Sequence, residues 1–173
     1  DLAGTLSITA SSEIIVPQDY TLVLNQTGGL NFGGNVLSLN GAGVMNFKNS
    51  IDTINGELEV KNGTLNYGNG GTADKLTLES ATLVLNGDLS IGDKLKTSGN
   101  DPTLQLNSNV LDLSGTNVQL ELGTGMVLDG ISTGTNTELL LTSDSTISRA
   151  TPISLGSINL QNNSLTLGSS TSD

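Results

Sequence analysis

Cysteine, histidine and tryptophan are absent from this chain of 173 residues. Without cysteine there are no disulfides, no zinc–thiolate sites and no thiol nucleophiles. Without histidine there is no Ser/His/Asp triad, no imidazole acid–base catalysis and no His-ligated metal. The fold must therefore be stabilised by packing and hydrogen bonds, and few kinds of catalytic group are available.

Aromatic residues, basic residues and long apolar runs are also scarce. Two Phe and two Tyr cannot fill a thick core, so we expect a thin one. No stretch approaches the roughly 20 apolar residues of a membrane span, and no leader-like segment opens the chain, so we expect no membrane insertion. Six Lys and Arg against 17 Asp and Glu give a net charge of −11, which disfavours nucleic acid and anionic membranes as partners.

What the chain does contain is an internal repeat. The sequence Thr-Leu-Val-Leu-Asn occurs at residues 21–25 and 82–86, and it recurs at residues 103–107 with Gln in third place. Each copy alternates apolar and polar residues, which is the pattern of a strand with one buried face. The repeat therefore predicts strands that occupy equivalent positions in successive structural units.

Further inward-facing residues fall into three series that share a mean step of about 20–21 residues. We call the corresponding surfaces the first, second and third faces. The first series is Leu22, Met45, Leu65, Leu83, Leu104, Met126, Ile147 and Leu165; the second is Leu6, Leu30, Ile51, Gly71, Leu89, Leu111, Ile131 and Ile153; the third is Ile14, Leu37, Leu58, Leu76, Leu95, Val118, Leu139 and Ile158.

The three series predict an all-β fold, a parallel β-solenoid with three short strands per coil and about eight coils. Asn-Gly and Gly-Gly pairs suit its corners because they tolerate positive φ. The variable step favours a right-handed helix over the left-handed solenoid of strict hexapeptides. An antiparallel β-sandwich is the alternative, but hairpins would not impose one step on three series. We assign residues 1–167 to one solenoid domain and residues 168–173 to a polar tail or linker.

One residue conflicts with this pattern. Arg149 falls on an inward position, where an unpaired guanidinium would be costly to bury. We therefore expect a local bulge or corner at residues 149–152.

The repeated T-L-x-L-N motif and the N-V-L-x-L motif at residues 35–39 and 109–113 resemble rungs of right-handed β-helices in bacterial surface proteins. The similarity is to autotransporter passengers and filamentous-haemagglutinin-like adhesins, and it covers nearly the whole chain. It implies a shaft or display segment of an extracellular, cell-surface adhesin or fibre. The partners it implies are a host or neighbouring cell surface, a glycan or other copies of the chain.

Carboxylates are the main catalytic groups that remain. Polysaccharide-degrading β-helix enzymes combine them with basic clusters and with aromatic residues that stack on sugars, whereas here Arg149 is the only Arg and Tyr20 is the only aromatic residue expected at the surface. We therefore expect no enzymatic activity and no cofactor, and polysaccharide degradation is the less favoured alternative.

Two pairs of aspartates are candidates for Ca²⁺, which takes oxygen ligands. They are Asp88 with Asp93 and Asp101 with Asp112. Solvated polar corners are the simpler interpretation of both pairs.

The outward residues of the third face mix ladder neighbours of opposite and like charge, such as Glu57 beside Lys75 and Lys75 beside Lys94, and are most simply a solubility surface. They are Glu57, Glu59, Lys61, Lys75, Glu79, Lys94, Lys96, Glu121 and Glu138. The first face instead presents two uncharged ranks, and its candidate contact residues are Thr21, Thr64, Thr82, Thr103 and Thr146 with Val23, Asn46, Asn66, Val84 and Gln105. Three interpretations apply: plain β-propensity, a surface for ligand contact or lateral self-association, and ice or carbohydrate binding. Ice binding usually needs two nearly complete threonine ranks, and only one is present.

The ends of a solenoid expose unpaired strands that invite assembly unless they are capped. No amphipathic capping helix is evident in the sequence. We therefore predict either neighbouring coils in a longer polypeptide or head-to-tail association.

Overall fold

A computed structural model describes residues 2–3, 6–25, 29–48, 51–68, 70–123, 126–127, 131–149 and 153–169. The described residues form strands in three sheets and contain no helix. The six-stranded sheet contains β1 Leu2–Ala3, β4 Thr21–Asn25, β6 Val44–Phe47, β8 Thr64–Tyr67, β10 Thr82–Leu85 and β12 Thr103–Gln105. The eleven-stranded sheet contains β2 Leu6–Ser7, β3 Ser12–Ile15, β5 Leu30–Asn40, β7 Ile51–Lys61, β9 Gly71–Glu79, β11 Leu89–Ser98, β13 Leu111–Leu113, β14 Gln119–Leu122, β16 Ile131–Thr133, β17 Glu138–Leu141 and β19 Ser157–Asn159. The three-stranded sheet contains β15 Met126–Val127, β18 Ser145–Arg149 and β20 Leu165–Ser169.

The chain is an all-β parallel β-solenoid. Each strand pairs in parallel with its counterpart one coil before or after it, for example β6 with β4 on one side and β8 on the other. This pairing confirms the predicted fold and excludes the antiparallel sandwich. The solenoid has about seven turns. This number agrees with the prediction of about eight coils, because the eight residues of each series are separated by seven steps from coil to coil.

The second and third faces are joined differently along the solenoid. In the middle coils a single long strand, β5, β7, β9 or β11, crosses both faces, and the register with the next strand shifts where it turns the corner. In later coils the same path is divided into two short strands, β13 with β14 and β16 with β17. The predicted three strands per coil are thus separate in the later coils and partly fused in the middle.

The core is a narrow axial column of aliphatic side chains from the three faces. Leu58, Leu83 and Leu95 are completely buried. The rings of Phe47 and Tyr67 lie on successive rungs of the first face, with centroids 5.9 Å apart and planes tilted by 58°. Because there are so few aromatic residues, most of the hydrophobic stabilisation comes from the stacked Leu, Ile and Val side chains.

Four predicted pairings are wrong by two residues. On the third face Ile14 pairs with Leu39 rather than Leu37, and Leu95 and Leu139 both pair with residue 120 rather than with Val118. On the first face Ile147 pairs with residue 167 rather than residue 165. A slip of two residues keeps every side chain on the same face of its strand, so the alternation of apolar and polar residues cannot detect it.

The second series contains one different error. Leu30 pairs with Ile54 rather than with Ile51, which itself pairs with Gly71. The pairing of β7 with β9 is irregular between Ile51 and Thr53. Strand β7 thus contains one extra residue between Ile51 and Thr53, which a constant step between coils does not predict.

The expected interruption near Arg149 does not begin at that residue. Its backbone continues β18 and pairs with Ser169, and residues 150–152 lie outside the described ranges. Strand β20 extends to Ser169, two residues into the segment that we assigned to a polar tail.

Candidate functional site

The first face presents two ranks of uncharged side chains in register. Strand pairing aligns Thr21, Val44, Thr64, Thr82 and Thr103 in one rank, and Val23, Asn46, Asn66, Val84 and Gln105 in the other. Neighbouring members of a rank are about 4.8 Å apart, the spacing of paired strands. Every side chain of these two ranks is exposed or half-buried, so nothing within the described chain covers this surface.

Thr146 lies on a different sheet from the other candidate threonines. It belongs to β18, where it pairs with Thr166 of β20. Within the described residues the six-stranded sheet ends at β12. The structure therefore groups nine of the ten candidate contact residues and separates Thr146 from them.

An asparagine pair fixes part of the second rank. The Nδ2 atom of Asn66 donates to Oδ1 of Asn46, one rung away, at 2.6 Å. The pair borders a shallow groove of about 260 Å³ lined by Asn46, Phe47, Lys48, Asn66, Gly68 and Asn86. The groove offers amide groups to a polar partner at the edge of the first face.

The third face is a layer of ion pairs. Lys75 lies beside Glu57 and Lys94 in the strand register, as predicted, but its ammonium contacts Asp93 at 3.3 Å. Glu57 instead accepts a hydrogen bond of 2.7 Å from the hydroxyl of Thr77. Strand register thus predicts which charged residues are neighbours, but side-chain geometry decides which of them pair.

Glu121 is the most enclosed charged group of this layer. Its side chain is only 9% exposed, and its carboxylate lies 2.9 Å from the ammonium of Lys94 and 3.2 Å from that of Lys96. Burial alone would raise the pKa of Glu121, but hydrogen bonds and charge from the two lysines outweigh it and lower the pKa. The sequence placed all three residues outward, and the corrected register of β14 brings them together.

Lys61 forms a second, more exposed centre. Its ammonium is 3.1 Å from Glu59 and 3.8 Å from Glu79. The hydrogen bond to Glu59 raises the pKa of Lys61, against a smaller lowering by desolvation. The ammonium therefore stays protonated over a wider pH range than in the unfolded chain.

The four candidate Ca²⁺ ligands have separate structural roles. Asp88 accepts a hydrogen bond from the backbone N–H of residue 110, and Asp93 pairs with Lys75. Asp112 accepts one from the backbone N–H of residue 114, and Asp101 has a positive φ of 47°. Across the described ranges no three Asp or Glu side chains are grouped as a metal site would require.

The last described coil exposes apolar side chains. Ile158 is 53% exposed, Leu160 41% and Leu167 75%. Ile158 and Leu167 occupy ladder positions whose neighbours one coil earlier, Leu139 and Ile147, are buried. Exposure here therefore reflects the lack of a described coil on one side.

Comparisons with protein-family models, with curated proteins and with solved structures gave no match. In the part of the chain that the structure describes, there is no helix of sufficient length and apolarity to cross a bilayer.

Proposed function

We propose that this chain is a non-catalytic, extracellular structural or adhesive β-solenoid of a cell-surface adhesin or fibre, with the first face as its contact surface. The observation that carries the proposal is the absence of charge from both ranks of that face in a chain of net charge −11. The third face, in contrast, carries several ion pairs. A neutral patch on an acidic chain is suited to contact with another surface.

The physical properties of the ranks support a contact role. Thr and Val are β-branched and stiff, so they lose little side-chain freedom when a partner covers them. Their regular spacing repeats one weak contact on successive rungs, and repeated weak contacts add up through multivalency. About seven turns of about 4.8 Å give a rigid body roughly 34 Å long, which can hold such a surface away from its attachment point.

Charging the first face tests this proposal. We expect Thr82→Lys combined with Thr103→Lys to weaken binding to cells, glycans or other copies by at least about tenfold, because two ammonium groups would have to lose water at the contact. Ser90→Lys combined with Ser132→Lys, two outward positions of the second face, is the matched control. Equal binding by the two double variants would remove the first face from the contact.

The exposed apolar residues of the last described coil support a second mode of self-association, end to end. A further coil stacked on this layer would cover Ile158 and Leu167 and pair the free edges of β19 and β20. We expect a concentration-dependent increase in sedimentation coefficient that Leu167→Lys abolishes. An increase unaffected by this change would place the association elsewhere.

One observation keeps ice binding as a second candidate. Thr64, Thr82 and Thr103 stand in register on three successive rungs. The second rank offers no threonine beside them, and two of its asparagines are bonded to each other. Thermal hysteresis that disappears in Thr82→Lys would favour ice; a freezing point without hysteresis eliminates it.

A further inference from the structure

A pocket of about 380 Å³ lies on the third face, away from the proposed contact surface. Residues from β3, β5 and β7 and from the turn before β3 line it: Ser11, Ser12, Glu13, Val36, Ser38, Glu59 and Lys61. The lining therefore combines three hydroxyl groups, two carboxylates and one ammonium. No residue of the first face contributes to it.

Strand register places the two carboxylates on either side of a serine. Glu13 pairs with Ser38, and Ser38 pairs with Glu59, so the three residues occupy one position on successive rungs. Paired strands are about 4.8 Å apart, which separates the backbones of Glu13 and Glu59 by about 10 Å. The short side chain between two long ones leaves a notch.

Ser38 is itself an unusual feature of this notch. The residue is 8% exposed, and among the described residues its hydroxyl has no hydrogen-bond partner. Thr77, which occupies the same ladder position two rungs further on and is 6% exposed, donates to Glu57. A buried hydroxyl without a partner is rare in folded proteins, and a ligand that bonds to it would satisfy it.

The charges of the pocket favour a cation. Glu59 pairs with Lys61 at 3.1 Å, and Lys61 is also 3.8 Å from Glu79. Glu13 accepts a hydrogen bond of 3.0 Å from the neutral amide of Asn40 and forms no ion pair among the described residues, although its charge helps to raise the pKa of Lys61. The pocket lining thus carries two carboxylates and one ammonium, and the net charge of −11 also attracts cations.

We propose that this pocket binds a hydroxylated primary amine of the amino-sugar class, with its ammonium between Glu13 and Glu59. The hydroxyl groups of such a ligand suit Ser38 and the two serines at the pocket rim. An ammonium alone would use the carboxylates, and a neutral sugar alone would use the serines. The site is independent of the first face, and binding makes and breaks no covalent bond.

Titration of the protein with a glucosamine trimer, followed by calorimetry, tests the proposal. Its fully N-acetylated counterpart keeps the hydroxyl groups and lacks the ammonium, and spermidine keeps ammonium groups and lacks hydroxyls. We expect the glucosamine trimer to bind at least about tenfold more tightly than either. Equal binding of the acetylated trimer would overturn the ammonium assignment, and equal binding of spermidine would overturn the sugar assignment.

Variants locate the site. We expect Glu13→Gln to weaken binding of the glucosamine trimer about tenfold and Ser38→Ala to weaken it several-fold. Glu138→Gln is the matched control, because Glu138 lies on the same face and accepts a hydrogen bond from Gln119. Thermal unfolding of each variant establishes that it is folded. Binding that falls equally in Glu13→Gln and Glu138→Gln would show general charge attraction and overturn the site.

Discussion

The middle coils and the last described coil contain the same kinds of residues but bury them differently. One unbroken ladder of the third face runs from Leu37 through Leu95 to Ile158. Leu95 is completely buried, whereas Ile158 is 53% exposed. The difference shows that burial in a solenoid depends on having a coil on both sides, because each coil contacts only its neighbours.

Truncating these two ladder residues gives the largest expected contrast. We expect Leu95→Ala to lower the free energy of unfolding by about 2–5 kcal/mol, because it leaves a cavity in a filled core. Ile158→Ala should cost about 1 kcal/mol or less, since half of its side chain already contacts water. Urea unfolding measures both values. Similar losses would mean that the last coil is covered in solution.

Two corner glycines provide the next contrast, at equivalent register shifts of β7 and β11. Gly56 has a φ of +117°, and an added Cβ would lie 2.8 Å from the carbonyl oxygen of Asn35. An added Cβ on Gly92 would have no neighbour closer than 3.7 Å. We expect Gly56→Ala to destabilise the fold by about 2–3 kcal/mol, and Gly92→Ala to be neutral or stabilising by up to about 1 kcal/mol.

Thermal unfolding of these two alanine variants shows whether the loss of stability depends on the backbone conformation at the corner or follows from replacing any corner glycine. If Gly92→Ala destabilises as much as Gly56→Ala, the two corners do not differ in backbone conformation.

The smallest contrast concerns Glu121 and its dependence on pH. At neutral pH we expect Glu121→Gln to cost about 1–3 kcal/mol, because Lys94 and Lys96 lose their shared partner. The folded-state pKa of Glu121 is lowered, so its stabilisation is present above the usual carboxyl range and is lost as pH falls through the folded-state value. The gap between variant and parent should therefore close in acid.

Glu138→Gln, one coil further, is the control for this experiment. Glu138 accepts a hydrogen bond of 2.8 Å from Gln119 and forms no lysine pair in the described structure. Its replacement should cost less than about 1 kcal/mol at neutral pH. Unfolding curves at neutral and acid pH measure both variants. A gap for Glu121→Gln that persists in acid would exclude ionisation as its cause.

Much of the fold is predictable from sequence because one step governs three series. Alternation identifies which residues of a strand face inward, and the structure buries Leu58, Leu76 and Leu95 as predicted. Alternation does not identify the partner along the ladder, so the predictions at Ile14 and Val118 slip by two residues. Register at such positions depends on corner lengths, which the turn residues do not reveal.

The candidate contact residues of the first face follow from the same alternation. The structure aligns every one of these residues except Thr146. The pocket around Ser38 and the convergence on Glu121 were missed. Both depend on long side chains reaching between rungs and on pairings, Glu13 with Ser38 and Lys96 with Glu121, that follow only from the corrected register. The sequence alone does not show that Ser38 lies between Glu13 and Glu59, because this arrangement depends on how successive coils align.

The change from one long strand to two short ones has a consequence for local opening. Strand β9 has nine residues and forms ladder pairs with β7 and β11 across two faces, whereas β13 and β14 are separate strands of three and four residues. A short strand can open without the strand that follows it, so fewer hydrogen bonds break at once. Amide protons of β13 and β14 should therefore exchange with solvent faster than those of β9.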